Sequence, residues 1–378
     1  MSLTRKIEEY ALDLGFDKVG FTGASPFDQL ASALAERRSG YNWVSEGLLQ
    51  LARVADPAFV LPGARALIVL LYDYHKQSFP PALLGKVGKA YQARLYTGKK
   101  RIFGSRLRLL KEFLEQQGME IGVRPALPER QAAVRAGLGT FGRNTFFYVP
   151  GIGSYAAITT LAVNKELDGP AFDPGSSCPE DCRQCIDACP TRAIYAPFKM
   201  DPLRCISFHT YGTGNFPGAP ADIPFEIREK MGTWIYGCDI CQDACPRNRK
   251  TLKRVLPPDA YLHEVAAPAI TLTNLLNMLN MDDAFFQSKV QTLLYGYIWE
   301  KKFLQRNAAI ALGNSGDETA LPDLEQAAGD PEEMVRAYTA WALGRIGGKR
   351  GKKILETHRA KEQSAAVSAE INRALESL

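Results

Sequence analysis

Ile7, Tyr10, Ala11 and Leu14 fall on one face at helical spacing and Gly15 closes the stretch, which predicts an N-terminal helix. Lys18-Val19-Gly20-Phe21 then predicts a short strand. The unbroken apolar run Ala66-Leu67-Ile68-Val69-Leu70-Leu71 suits a strand buried on both faces. Helical spacing returns over Leu107 to Leu114 and in the stretch Glu129 to Ala136, whereas Phe146-Phe147-Tyr148-Val149 and Tyr155 to Val163 read as strands. An α/β or α+β domain over residues 1–165 follows from this pattern.

The last third of the chain is helical and repeats itself. Ala311-Leu312-Gly313 and Gly316 are answered 31 residues on by Ala342-Leu343-Gly344 and Gly347, and Leu324-Glu325 by Leu355-Glu356. With Asp330-Pro331 between the helices, that period predicts HEAT-like helix pairs, which serve as recognition surfaces. From Arg345 onward there are eight basic and four acidic residues, with Lys349, Arg350, Lys352 and Lys353 close together. Such a patch suits either a docked polyanion or an ordinary solvated helix face.

Composition changes this picture little. The 378 residues carry a formal charge of +5, 46% hydrophobic and 23% charged residues, figures that exclude disordered and collagen-like chains and permit an acidic partner without requiring one. Acidic residues at Glu8 and Glu9 interrupt any signal-peptide pattern, and no run reaches the length of a membrane helix. The chain reads as soluble and cytoplasmic.

The cysteines change it greatly. All eight lie between Cys178 and Cys245, a clustering that fits ligands in a reduced compartment better than disulfides. One group is Cys178-x3-Cys182-x2-Cys185-x3-Cys189-Pro190; the other is Cys205 followed by Cys238-x2-Cys241-x3-Cys245-Pro246. In two-cluster ferredoxins the cysteine before proline ligates the cluster of the other group. We therefore expect one 4Fe-4S cluster on Cys178, Cys182, Cys185 and Cys245, and a second on Cys189, Cys205, Cys238 and Cys241. The 32 residues between Cys205 and Cys238 add only a logarithmic closure cost. Paired zinc sites are the alternative, although the double Cys-Pro ending has no role in them. Two neighbouring clusters form an electron conduit, so the flanking regions must supply what receives the electrons. Gly137-Leu138-Gly139-Thr140-Phe141-Gly142 matches a dinucleotide fingerprint formally, but a helix precedes it and a strand follows, the reverse of what that motif needs. A tight turn, or close approach to a flat ligand, suits these glycines better.

Taken together these residues resemble the epoxyqueuosine reductases of tRNA modification, cobalamin-dependent iron-sulfur enzymes related to reductive dehalogenases. The resemblance rests on Glu129-Arg130 leading to Arg135-Ala136-Gly137-Leu138-Gly139, Gly142-Arg143-Asn144-Thr145, Cys185-Ile186-Asp187-Ala188-Cys189-Pro190-Thr191 and Arg204-Cys205-Ile206-Ser207. It continues through Ile235-Tyr236-Gly237-Cys238-Asp239-Ile240-Cys241-Gln242 and Arg306-Asn307-Ala308 into Leu312-Gly313-Asn314-Ser315-Gly316-Asp317. It implies an α+β multidomain chain: a cobalamin-binding α/β domain at 1–165, a ferredoxin-like double 4Fe-4S module at 166–255 and HEAT-like repeats at 256–378. It further implies a base-off cobalamin against Gly137, Leu138, Gly139, Gly142, Arg143, Asn144 and Thr145, and a low-potential donor such as ferredoxin or flavodoxin. Electrons would pass through both clusters to the cobalamin, with tRNA docked on the C-terminal basic repeats.

The resemblance also implies a carboxylic acid as proton donor, and here this chain departs from its relatives. They usually carry an Asp several residues before the Glu-Arg pair; this chain has Val123, Arg124 and Pro125 there, with no carboxylate between Glu120 and Glu129. A Gly-Arg-Asp-Tyr-His string is likewise replaced around Leu95 to Lys100, and the approach to the repeats is altered over Gln291 to Trp299. The substrate reading therefore widens to another reducible compound, and a corrinoid-reducing or electron-transfer partner without substrate chemistry is the alternative. Tyr96, Tyr91, Asp73, His75 and His209 are candidates to replace the acid, each with an ordinary structural role as the competing explanation. Glu129 and Arg130 are read as capping and anchoring a helix.

Overall fold

The computed structural model describes residues 1–37, 51–93, 101–123, 125–169, 178–258, 275–291 and 297–378. Tyr96 and the Leu95 to Lys100 string lie outside them, as do Arg124 and residues 292–296. The N-terminal helix runs Leu3–Asp13, with the Ser2 hydroxyl accepting from the Arg5 amide at 3.3 Å as an N-cap does. Strands follow at β1 (Lys18–Gly23), β2 (Ala66–Asp73), β3 (Ile121–Gly122), β4 (Thr140–Phe141), β5 (Phe147–Tyr148) and β6 (Ala156–Val163). Four of them form one sheet in the order β1-β2-β6-β3, every pairing antiparallel, with Gly20 opposite Val69 and Leu70 opposite Thr159. β4 and β5 form a separate hairpin.

All eight residues of β2 are buried, and the alternation of its side chains explains the unbroken apolar run. Ile68, Leu70 and Tyr72 pack with Ile7 and Ala11 of the first helix and with Leu110 and Leu114 of the helix Ile102–Gln116. Leu67, Val69 and Leu71 face the other way, onto Ala132 and Ala133 of the helix Glu129–Arg135 and onto Phe147. A central strand covered on both faces has no polar side. β6 behaves differently along its length: Leu161 to Val163 are fully buried while Ala156 to Thr159 are only half-buried. β3 pairs with Ala162 and Val163 alone, so among the described residues the edge of β6 from Ala156 to Thr160 is left open.

The cysteine-bearing segment holds the short helices Gln184–Asp187 and Ile240–Asp243 and a small hairpin, β7 (Ile194–Ala196) with β8 (Lys199–Met200). The C-terminal helices are Lys301–Ser315, Leu321–Ala327, Glu333–Ile346, Gly348–Arg359 and Ala365–Glu376, as the 31-residue period predicts. The repeated Ala-Leu-Gly has a packing cause. A side chain at Gly313 would stand 2.9 Å from the Ala342 backbone, and one at Gly344 would stand 2.8 Å from Ala374, so glycine lets successive helices close on each other.

Arg306 and Asn307 fix the repeats to the cysteine segment. Both side chains are completely buried. Arg306 donates to the Thr213 and His209 carbonyls at 2.7 and 2.9 Å, and Asn307 to those of Thr210 and Ile235 at 2.6 and 2.8 Å. The acceptors surround the helix Ile206–Tyr211 that starts at Cys205. Leu83 and Val87 join this same C-terminal core. No described helix is long and apolar enough to cross a membrane.

Candidate active site and metal centres

Two nine-residue motifs repeat, Cys182-Arg-Gln-Cys185-Ile-Asp-Ala-Cys189-Pro190 and Cys238-Asp-Ile-Cys241-Gln-Asp-Ala-Cys245-Pro246, each with a short helix around its second cysteine. Thiols of the two motifs influence one another. Burial and then the proximity of Cys245, Cys178 and Cys182 push the Cys185 thiol up to about 11. Cys238 is raised by burial and feels Cys205 and Cys189, and Cys241 is raised by burial and feels Cys205, Cys238 and Cys189, and also Cys185 of the other set. Each expected set of four thus contains a thiol that feels its other three members. None of the eight cysteines is in a disulfide. Buried thiols with raised pKa values become stable thiolates only beside cationic charge, and iron would supply it. Backbone amides already point at the sulfurs: Ala193 N–H donates to Cys189 Sγ at 3.3 Å, and the Phe208 and Ser207 amides bond Cys205.

The glycine loop joins this module to the sheet. Gly137 closes the helix Glu129–Arg135 with φ +74°, and Leu138 is buried in the sheet's core. A side chain at Gly139 would collide with the Tyr148 carbonyl, and one at Gly142 would stand 2.5 Å from the Tyr148 ring, so these glycines serve the β4–β5 hairpin. Arg143 donates to the Glu180 carbonyl, and Asn144 Nδ2 donates to Tyr148 Oη at 2.8 Å and the Cys241 carbonyl at 3.1 Å. Thr145, at φ +67°, offers its carbonyl to Arg130 Nη1 at 2.9 Å. The loop stops one residue short of a cavity whose wall starts at Phe146.

That cavity, about 270 Å³, opens against the unpaired part of β6. Small side chains at Ala90, Ala156 and Ala157 line it together with Phe146 and Phe147, and its polar groups are Tyr74, Glu129, Arg130 and Ser154. Ser154 connects it to the second cysteine motif, donating to Gln242 Oε1 at 2.9 Å and accepting from Asn248 Nδ2 at 2.9 Å. Lys89, beside Ala90, makes a second connection: Nζ lies 2.7 Å from Asp243 and 3.4 Å from Asp239, and Tyr155 donates to Asp243 at 2.7 Å. Glu129 and Arg130 therefore do more than cap and anchor. At the cavity Glu129 is half-buried and Arg130 exposed, and the burial of Glu129 lifts its carboxyl to about 7 against the opposing pull of Arg130 and of a hydrogen bond with Thr159. No local pattern announces this, because the burial comes from residues distant in sequence.

The other candidates stand elsewhere. Asp73 accepts from the His75 amide at 2.8 Å and pairs with Arg254 at 2.9 Å, tying the end of β2 to the cysteine segment. His75 is stacked on Tyr155 with centroids 5.1 Å apart. Tyr91 packs on Tyr236 at 4.4 Å and its hydroxyl lies 3.4 Å from Ser207 Oγ. His209 is completely buried, with Nε2 2.8 Å from the Leu203 carbonyl and Nδ1 2.8 Å from Thr213 Oγ1. A carbonyl only accepts, so Nε2 carries the proton and Nδ1 accepts from the threonine. Burial lowers this histidine to about 4, against about 6.5 in an unfolded chain. Between those values the unfolded state binds the extra proton. Stability is therefore fully present above pH 6.5 and is lost as pH falls toward 4, by about 3 kcal/mol. His209→Gln is expected to flatten that slope in urea unfolding midpoints measured at pH 7 and pH 5; an unchanged slope would contradict a neutral buried His209.

Comparison with known proteins agrees with this anatomy. Residues 178–248 match a family described as a 4Fe-4S double cluster binding domain, and residues 300–376 match HEAT repeats. Epoxyqueuosine reductase from Bacillus cereus is 32% identical over 390 residues, spanning 100% of this chain and 97% of its own. The Bacillus subtilis enzyme is also 32% identical, over 100% and 96%. Among solved structures, B. subtilis epoxyqueuosine reductase with its catalytic aspartate loop swung out of the active site superposes with TM-score 0.84 at 29% identity, covering 100% of this chain and 99% of that one. An epoxyqueuosine reductase with an epoxyqueuosine-modified tRNA-Tyr stem loop gives 0.82 at 28%, covering 100% and 98%.

Proposed function

The chain belongs to the epoxyqueuosine reductase family of oxidoreductases, and from that premise we propose that it reduces the epoxide of epoxyqueuosine in tRNA, using two 4Fe-4S clusters and a cobalamin. The observation that carries the proposal is a cavity lined by Glu129, Arg130, Tyr74 and Ser154, which Ser154 joins to the second cysteine motif through Gln242. We assign Cys178, Cys182, Cys185 and Cys245 to one cluster and Cys189, Cys205, Cys238 and Cys241 to the other.

Cobalamin suits the cleft: a strand edge left open among the described residues, with alanines and two phenylalanines in the lining, fits a flat, amide-fringed macrocycle. Ala156 to Ile158 and Phe146 would hold it, with Ser154 and Tyr74 as polar contacts. When bound it supplies a strongly reducing, nucleophilic metal to the substrate. The protein's share is to position the epoxide, exclude water and deliver protons. A low-potential ferredoxin or flavodoxin supplies the electrons.

The nucleic acid docks on the C-terminal repeats. Lys349, Arg350, Lys352 and Lys353 are exposed on the helix Gly348–Arg359, whose other face buries Gly351, Ile354 and Leu355, and none of the four is in an ion pair among the described residues. Changing all four to alanine is expected to weaken tRNA binding and to flatten its salt dependence by about 0.7–0.9 in log–log slope for each phosphate that is no longer neutralised. Anaerobic reconstitution should give iron-sulfur and corrinoid absorption together. Failure to retain corrinoid, or tRNA affinity indifferent to salt, would overturn the respective part of the proposal.

A further inference from the structure

We propose that Glu129 is the proton donor of this enzyme, in place of the aspartate that the family resemblance leads one to expect in the stretch Val123 to Pro125; the inference rests on the epoxide-reductase reading above. Val123 packs half-buried against the sheet's helical face with Ile121 and cannot deliver a proton. Glu129 is the carboxylate among the described residues that lines the cavity.

The surroundings of Glu129 suit an acid that must give up its proton and keep the resulting anion. Burial holds the proton on, and the carboxyl sits at about 7. Arg130 on the same helix and Thr159 on β6 favour the carboxylate, so the charge left behind is compensated at once. Tyr74 lines the same cavity, its own hydroxyl raised by burial and therefore uncharged. Arg130 is held in turn by the Thr145 carbonyl, which keeps the cation beside the acid. An acid whose pKa lies near the working pH is the efficient one.

In the reaction both carbon–oxygen bonds of the epoxide break; the oxygen takes one proton from Glu129 and a second from solvent and leaves as water. Two electrons delivered through the clusters remain with the carbons as a double bond. The carboxylate then recovers its proton from solvent.

Isotope-edited infrared spectroscopy on the cluster-loaded protein, with labelled glutamate, reads the acid without turnover. A protonated carboxyl band titrating near pH 7, and absent from Glu129→Gln, is the expected result. In single turnover with an epoxyqueuosine-containing stem loop, Glu129→Gln should lose about 10²–10⁴-fold, Glu129→Asp should retain part of the rate, and the wild-type rate should fall as pH rises above about 7. Cluster reduction should stay unchanged in both variants. A Glu129 that titrates in the ordinary carboxylate range, or a Glu129→Gln rate within about threefold of wild type, would overturn the proposal. Should the wild-type protein leave the epoxide untouched, the epoxide reading falls, and the infrared titration still decides whether Glu129 holds a proton at neutral pH.

Discussion

Alanine in place of Cys185, of Cys245, or of both is expected to cost the protein the same single cluster. Iron should fall from about eight atoms per chain to about four in each single variant, and remain about four in the double variant, because the two residues ligate one 4Fe-4S unit. Cys185→Ala combined with Cys189→Ala should instead strip both clusters, although these cysteines lie four positions apart in one motif. The expectation comes from the crossed ligation that the Cys-Pro motifs imply, and it agrees with the charges each thiol feels: Cys245, Cys178 and Cys182 at Cys185, and Cys205 and Cys189 at Cys238. Non-additivity of this kind identifies groups acting as a unit. If each motif wrapped its own cluster, Cys185→Ala with Cys245→Ala would leave almost no iron. Iron analysis and electron paramagnetic resonance of the dithionite-reduced variants separate the two outcomes.

Lys89→Met is expected to lower stability by about 3–5 kcal/mol, the usual cost of removing one partner from a buried ion pair. Lys89 Nζ lies 2.7 Å from Asp243 and 3.4 Å from Asp239, its backbone amide donates to Asp239 at 2.7 Å, and the Lys89 and Asp239 side chains are only 10% and 4% exposed. Methionine fills the aliphatic space but leaves Asp239 buried without its cation, directly between Cys238 and Cys241. Adding Asp239→Asn should recover much of the loss, since the uncompensated charge, rather than lost packing, causes it. Denaturant unfolding of the apoprotein and the double variant checks this. Equal stability of Lys89→Met and wild type would mean that the pair is solvated and contributes little.

How far the sequence reaches depends on which forces act locally. The β2 run, the N-terminal helix with its Ser2 cap and the paired helices of the last third are set by side-chain periodicity, and their observed limits stay within a few residues of the expected ones. The two cysteine motifs are legible because ligation requires fixed residue types at fixed spacing. Glu129, Lys89 and the open edge of β6 are not. A glutamate opening a helix looks like a favourable dipole partner until the cavity wall is assembled around it, and Lys89 gains its meaning from carboxylates 150 and 154 residues away. The glycine loop illustrates the same limit: its residues stand out in the sequence, yet Gly139 and Gly142 answer to Tyr148 of their own hairpin. For His209 the ordinary explanation holds, with both ring nitrogens engaged by Leu203 and Thr213.

Everything proposed for this enzyme requires that electrons entering the paired clusters remove an oxygen atom from a nucleoside held at the Glu129 cavity. Mass spectrometry of nucleosides, after the reduced, cobalamin-loaded protein has acted on an epoxyqueuosine-containing tRNA stem loop, measures this step itself. The expected result is conversion to a product lighter by one oxygen atom, dependent on both clusters. Recovery of the modified nucleoside at unchanged mass, with both clusters and the corrinoid demonstrably reduced, would contradict it.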